Sequence, residues 1–526
     1  MNDVIIVGAG AAAAGAALGL SGRKVLMLDC GILPTAGSVA RIGARLPALR
    51  KGDQDLYPAL IGEHFEAMTL VDGKSSISPK LKSPYMKYIT KDWESISPVL
   101  SQGFDTQMSF SYGGLANGWG AGAYRFTDND LRGFPICATH LEPYFDILTA
   151  ELGINGTSDD LAAFFGKEEG LLPPLKLNRS SAVLYNSYKS NRAYFNKKGL
   201  TIGRPRLAVL SKDHKGRARY KYNNLEFFST EDRAIYTPTV TLDRLRNEGA
   251  IQYENGWLVE SYRETPHGVQ VTARRIDAEQ WKCFEAKKLI LAAGCLNSSK
   301  IVLASCNEQR SSLPLLDNQI SYVPLINPRL IGARHEQRCF GMGQLNIIYS
   351  DAKASEPVQG TIYDVSGPLR SDLLFDFPLP FSSAFDAAKL LTPALCLIQY
   401  FYPDDPCQAN RLELNENGHL KIAYSEQKRG LIERATLSAF LKTGWIGLPQ
   451  LCRYPKAGNS YHYAGTLPMK VNPGLFETFP DGRLQGTRNV HVVDASVFTR
   501  LPSKNLTFTS MANAMRIATE VALQLQ

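Results

Sequence analysis

The chain has 526 residues, 44% of them hydrophobic and 21% charged, with a formal net charge of +8. That much apolar material excludes a disordered chain, and the length predicts two to four domain-sized units. The mild positive balance is read as a solvated basic surface, because no basic stripe with interleaved aromatics, the mark of a single-stranded nucleic-acid groove, accompanies it. Nine cysteines are scattered without a CxxC pair or zinc-like Cys/His spacing, so no metal site is expected. Their odd number points to reduced thiols and a cytoplasmic location.

The first residues run straight into an apolar strand, so no signal peptide is expected. Residues 4–7 read as a buried parallel strand, 8–22 as a small-residue helix after a tight turn, and 24–28 as a second strand. Inside this unit Gly8-Ala9-Gly10-Ala11-Ala12-Ala13 fits the dinucleotide turn G-x-G-x-x-G/A. The first glycine permits the turn, the second lets a pyrophosphate approach a helix N-terminus, and Ala13 still allows close helix–strand packing. Asp29 follows at the end of the second strand, placed to accept hydrogen bonds from an adenosine ribose. NAD(P) and FAD both use such a turn, so the motif does not choose between them.

Residues 35–105 are mixed and broken by Pro and Gly. A glycine-rich segment covers 113–122, and a helical pattern covers 128–152, with a stop at Asn155-Gly156. The stretch 155–225 is loop-rich and locally basic. A helix is predicted over 240–245, with strands over 250–260, 268–274 and 281–292. The region 310–455 differs in character: alternation over 344–349 predicts antiparallel strands with one wet face. Its most apolar stretch, 390–402, is interrupted by Pro393 and too short to span a bilayer. It is read as a buried or lid segment, with contact to a membrane surface as the less favoured alternative. A strand over 489–494 and a helix over 509–524 return to the α/β pattern.

The C-terminal blocks decide the cofactor. His462-Tyr463-Ala464-Gly465-Thr466, Asp494-Ala495-Ser496-Val497-Phe498 and Asn505-Leu506-Thr507-Phe508-Thr509 resemble three ordered segments of the glucose–methanol–choline (GMC) oxidoreductases. Upstream, Gly113-Gly114-Leu115-Ala116-Asn117-Gly118-Trp119, Leu141-Glu142-Pro143-Tyr144 and Leu291-Ala292-Ala293-Gly294-Cys295 are similar to further family blocks, in the same order. The resemblance covers about half the chain and leaves 310–455 unread.

The resemblance implies an α/β chain, α+β overall: a Rossmann-like FAD-binding domain assembled from residues 1–35, 105–150, 225–310 and 460–526, and a substrate domain with an antiparallel sheet and helices over 36–104, 151–224 and 311–459. It implies FAD held non-covalently, since no Ser-Thr-His-Trp stretch is present. Gly8, Gly10 and Ala13 would face the pyrophosphate, Asp29 the ribose, and Leu258 or Val259 the adenine. Gly114 and Asn117 would lie by the ribityl chain and isoalloxazine, and Asp494, Ala495 and Leu506 would close over the flavin.

The implied reaction is oxidation of an alcohol, with hydride transferred to flavin N5. His462 would be general base and Asn505 would hydrogen-bond the same hydroxyl. The other seven histidines are read as structural. For Asn505 a helix N-cap competes, and Leu506 stands where the family usually has proline. The partners implied are a small-molecule alcohol, leaning toward sugars, polyols and natural-product alcohols, and oxygen or another electron acceptor. Two alternatives remain: a non-redox lyase or decarboxylase on the same fold, and a flavin-bound, membrane-associated partner protein without turnover.

Overall fold

The computed structural model describes residues 1–34, 62, 78–167, 169–223, 226, 233–306, 311–336, 338–351, 356–366 and 378–525. Most of the first predicted piece of the substrate domain before residue 78 lies outside them. The chain opens with β1 (Asn2–Val7), α1 (Ala11–Gly19) and β2 (Val25–Asp29). There follow α2 (Ala138–Leu152), β3 (Leu200–Gly203) and α3 (Pro238–Asn247). Four consecutive strands, β4 (Ile251–Asn255), β5 (Trp257–Thr265), β6 (Gly268–Arg275) and β7 (Trp281–Leu291), lead into α4 (Cys295–Ser305). Beyond it lie β8 (Ile320–Ile326), β9 (Leu345–Tyr349), β10 (Val358–Asp364), α5 (Phe381–Leu391) and β11 (Leu395–Phe401). The chain ends in β12 (Val490–Val492) and α6 (Thr507–Gln524).

The larger sheet has the order β4-β2-β1-β7-β6-β5, with β12 added to β7. Its parallel part, β4, β2, β1, the second half of β7 and β12, draws strands from the start, middle and end of the chain. β5 and β6 extend it as an antiparallel pair. β1 and β2 are apolar over nearly their whole length because both faces of this sheet are covered. The fold is α/β, as the sequence predicts.

α1 is built almost wholly of Ala and Gly because α6 lies against its backbone. A Cβ at Gly15 would sit 2.3 Å from the Met511 carbonyl oxygen, and one at Gly19 2.5 Å from that of Met515. No larger side chain fits between these helices at this distance.

The smaller sheet is antiparallel throughout, in the order β8-β11-β10-β9-β3. One face, with Val323, Leu325, Ile398 and Tyr400, joins Leu184, Phe195, Phe440 and Trp445 in a second core. The expected wet face over 344–349 is not found. Ile347 packs into the second core, while Asn346 takes the Tyr124 hydroxyl and Ile348 packs with Tyr124 and Phe165. The apolar stretch 390–402 becomes the end of α5, one turn, and the inner strand β11, in keeping with a buried segment. Among the described residues no helix is long and apolar enough to cross a membrane. The helical pattern expected from 128 starts only at Ala138, where Asp128 accepts the first backbone N–H of α2 at 2.8 Å.

Gly15→Val should lower the stability by about 3 kcal/mol, since the new side chain meets helix backbone that cannot retreat without separating α1 from α6. Gly10→Ala, at φ −84° with open space at its Cβ, should leave the protein without cofactor as stable as the parent. Thermal unfolding of the two variants checks both.

Candidate active site

The β1–α1 turn, the glycine loop and the C-terminal blocks surround one cavity of about 1090 Å³. Gly8, Gly10, Asp29 and Gly114 line it toward the N-terminal turn, with Leu258 and Val259 of β5 beside them. Asp494, Ala495 and Leu506 line it toward the C-terminus, together with His462 and Asn505. Ala13 and Asn117 do not: Ala13 is fully buried in α1, and Asn117 donates its amide to the Tyr112 carbonyl at 2.8 Å, bracing the glycine loop from within.

The two glycines of the turn answer different demands. Gly8 has φ +99°, and a Cβ there would lie 2.6 Å from the Ala292 carbonyl oxygen at the end of β7. Gly10 needs no glycine for its backbone, and a Cβ there would point into empty cavity. A phosphate group suits that space, since the N-terminus of α1 faces it with no side-chain cap. From the other side, a Cβ added at Gly114, whose φ is +64°, would lie 3.3 Å from the Gly10 Cα.

Asp29 accepts from the Tyr253 hydroxyl at 3.1 Å, and burial pushes its carboxyl up to about 7. The Asp494 carboxylate is turned into the protein. It accepts from the Gly294 N–H at 3.0 Å, the Ser298 hydroxyl at 2.5 Å and the N–H and hydroxyl of Ser496. Those bonds tie the end of β12 to the start of α4.

At the far end, His462 follows a strained residue: Tyr461 has φ +60°, a conformation that costs on the order of 1–3 kcal/mol. The loop is held by Asp317, whose carboxylate accepts from the Gly458 N–H at 2.8 Å and the Ser460 hydroxyl at 2.5 Å. The next residue, Asn318, sets the proton on the histidine. Its amide nitrogen faces two carbonyls, Tyr402 at 2.7 Å and Pro502 at 3.0 Å, so its oxygen must be the atom facing His462 Nδ1 at 3.0 Å. Nδ1 therefore donates, and Nε2 keeps its lone pair. Nε2 lies 3.4 Å from the Asn505 amide nitrogen.

Phe401 of β11 stacks on the imidazole at 5.0 Å between centroids. The ring opens to the cavity yet lies deep, and burial pushes its pKa down to about 4. The imidazole is therefore neutral throughout the neutral range.

Asn505 is not a helix cap. α6 starts at Thr507 after Leu506, without a side-chain cap, and the Asn505 oxygen lies 3.4 Å from the Gln359 amide. Leu506 has φ −80°, within the range proline would impose, so the replacement leaves the backbone path unchanged.

Sequence reasoning missed Asn318, Gln359 and Phe401. All three lie in the stretch that carries no motif, and no local pattern marks them. It also missed Lys80, whose buried ammonium donates to the Trp119 carbonyl at 2.9 Å and lines the cavity. Burial pushes that amine down to about 8.

The tautomer is directly observable. Nitrogen-15 shifts of the His462 ring should report a protonated Nδ1 and a bare Nε2, and Asn318→Leu should populate both tautomers. A protonated Nε2 in the parent protein would contradict the network described.

Residues 445–514 match the family model for the C-terminal part of GMC oxidoreductases. A search of curated proteins finds no match. Among solved structures, the chain is similar to pyridoxine 4-oxidase from Mesorbium loti, with a TM-score of 0.61 and 15% identity over 99% of each chain. At that identity the likeness is one of fold. Together, the C-terminal match and the shared fold support the GMC oxidoreductase family for this chain.

Proposed function

We propose that this protein is an FAD-dependent enzyme that oxidises an alcohol, with His462 as general base. The observation that carries the reading is the His462 tautomer: a half-buried, neutral imidazole, held through Nδ1 by Asn318, turns its unprotonated Nε2 toward the cavity and the Asn505 amide. FAD, when bound, would supply the acceptor for the hydride leaving the carbinol carbon. The cavity fits it: Gly10 and the α1 N-terminus for the pyrophosphate, Asp29 for the ribose, Val259 near the adenine, and Gly114, Ala495 and Leu506 about the flavin.

The chain's own residues then do three things. His462 Nε2 takes the hydroxyl proton, and the Asn318 oxygen, accepting from Nδ1–H, stabilises the imidazolium that results. The Asn505 amide donates to the same oxygen as it gains negative charge. Phe401 covers one face of the imidazole and keeps water from it. Ala13 and Asn117 serve by packing, one in α1 and the other under the glycine loop. In this reading FAD is non-covalent, oxygen or another electron acceptor reoxidises it, and the protein is cytoplasmic. The larger sheet then belongs to an FAD domain and the smaller sheet to a substrate domain. The His462–Asn505 pair also favours oxidation over the non-redox alternative, and the solved structure of like fold is named an oxidase.

His462→Ala should keep its FAD and slow flavin reduction by a factor on the order of 10² to 10⁴, the range for loss of a positioned base. Asn505→Ala should cost less. In the parent protein the reactive form is the neutral imidazole, which is populated above its folded pKa. The reduction rate should therefore stay level across the neutral range and fall only as the pH drops toward about 4. Anaerobic stopped-flow reduction measures all three, and a near-parental rate in His462→Ala would remove it as the base.

Purified protein should be yellow and release FAD on denaturation. Gly10→Val should fold but lose the cofactor, because its side chain fills the space left for the pyrophosphate. Absorbance of the purified variant decides this.

A further inference from the structure

From His462 outward, the cavity follows the free face of the smaller sheet, and the register of its strands orders the side chains there into rows. The row at the base pairs Ile320 with Phe401. The next pairs Tyr322 with Gln399, whose amide donates to the tyrosine hydroxyl at 3.3 Å. The third pairs Pro324 with Leu397, and the fourth Ile326 with Leu395. All eight side chains line the cavity. Side chains on one face of a strand recur at every second residue, so these rows form one continuous lane. From Phe401 to Leu395 it runs about 20 Å at the usual rise of a strand.

The chemistry changes along the lane. Hydrogen-bonding groups gather in the second row, toward which Tyr363 of β10, opposite Leu397, also turns its hydroxyl to meet Thr361, opposite Gln399. On β8 and β11 the third and fourth rows offer hydrocarbon. The wall continues outward through Leu448 and Leu451, which line the cavity and are 53% and 50% exposed at its mouth. A sugar or polyol would have to bring its hydroxyls past Pro324, Leu397, Ile326 and Leu395, whose side chains carry no hydrogen-bonding group, at a cost for each unpaired group. A hydrocarbon chain gains free energy with every methylene it buries there.

We infer that the substrate is an elongated, amphipathic alcohol whose carbinol end meets His462 and whose hydrocarbon tail lies along the β8–β11 lane. The sequence had leaned toward sugars, polyols and natural-product alcohols. The inference rests on the reading of His462 as the base, and two measurements separate the fate of each.

The first is anaerobic reduction of the FAD-loaded enzyme by straight-chain primary alcohols from butanol to dodecanol. The kcat/KM of reduction should rise about fourfold per added methylene until the lane is filled, the factor that corresponds to about 0.8 kcal/mol per buried methylene. Leu397→Gln, and separately Leu395→Gln, should lower the preference for dodecanol over butanol about tenfold by placing an amide against the tail. The second measurement needs no turnover: a dansylated undecanoate bound to the same enzyme should be displaced by the alcohols, with affinity rising along the same series. If displacement follows chain length but no alcohol bleaches the flavin, the lane stands and the oxidation reading falls. If sugars or polyols bleach the flavin while chain length affects neither reduction nor displacement, the lane is overturned and the base reading stands. A flat response in both measurements with no reduction by any alcohol overturns both.

Discussion

The close contact between α1 and α6 is the constraint on which the rest depends. Gly15 and Gly19 let the first helix of the chain touch the backbone of the last at Met511 and Met515. Helices that approach this closely cannot slide without a clash, so the start of α6 is fixed relative to the start of α1. One end of that rigid pair presents Gly10 to the cavity, and the residues leading into the other helix present Asn505 and Leu506. The parallel sheet adds to the same closure, because β12 lies beside β7, and β7 beside β1. Chain ends more than 490 residues apart thus become the two walls of one site.

Within that frame, polar groups are positioned by being buried and fully used. The Asp494 carboxylate accepts from two N–H groups and two hydroxyls and joins β12 to α4, so its effect on the cavity comes through the backbone it holds. Asp317 holds the strained turn before His462 in the same way, and Asn318 beside it orients the ring. A left-handed Tyr461 persists only where the surroundings over-determine it. Burial lowers the His462 pKa to about 4. Desolvation alone thus keeps the ring neutral.

The smaller sheet has two uses at once. Its alternation sends Val323, Leu325, Ile398 and Tyr400 into a second core and leaves the intervening residues for the cavity. Rigidity behind the lane is therefore supplied by the same strands that line it. β9 is likewise covered on both sides, by the second core at Ile347 and by Tyr124 and Phe165 at Ile348, which is why the simple pattern of one dry and one wet side fails there.

Local chemistry determined much of this protein in advance. The β1–α1–β2 unit, the turn glycines, Asp29 and the order of the C-terminal blocks are legible in sequence because each depends on near neighbours: a period of apolar residues, a left-handed turn, a strand ending in an acid. His462 and Asn505 were legible for the same reason, as members of short blocks. Their proximity was not, nor was the tautomer that leaves Nε2 unprotonated, because both depend on Asn318, Gln359 and Phe401, which arrive from distant parts of the chain. Asn117 shows the converse: its block is recognisable, but only packing decides that its amide braces the loop instead of facing the cavity. The lane likewise exists only once β8 and β11 pair in register, since the alternation of each strand leaves open which face meets a core and which meets a cavity. Tertiary structure decided the depth that lowers the His462 pKa, because burial is set by everything packed around a residue and not by the residues beside it in the chain.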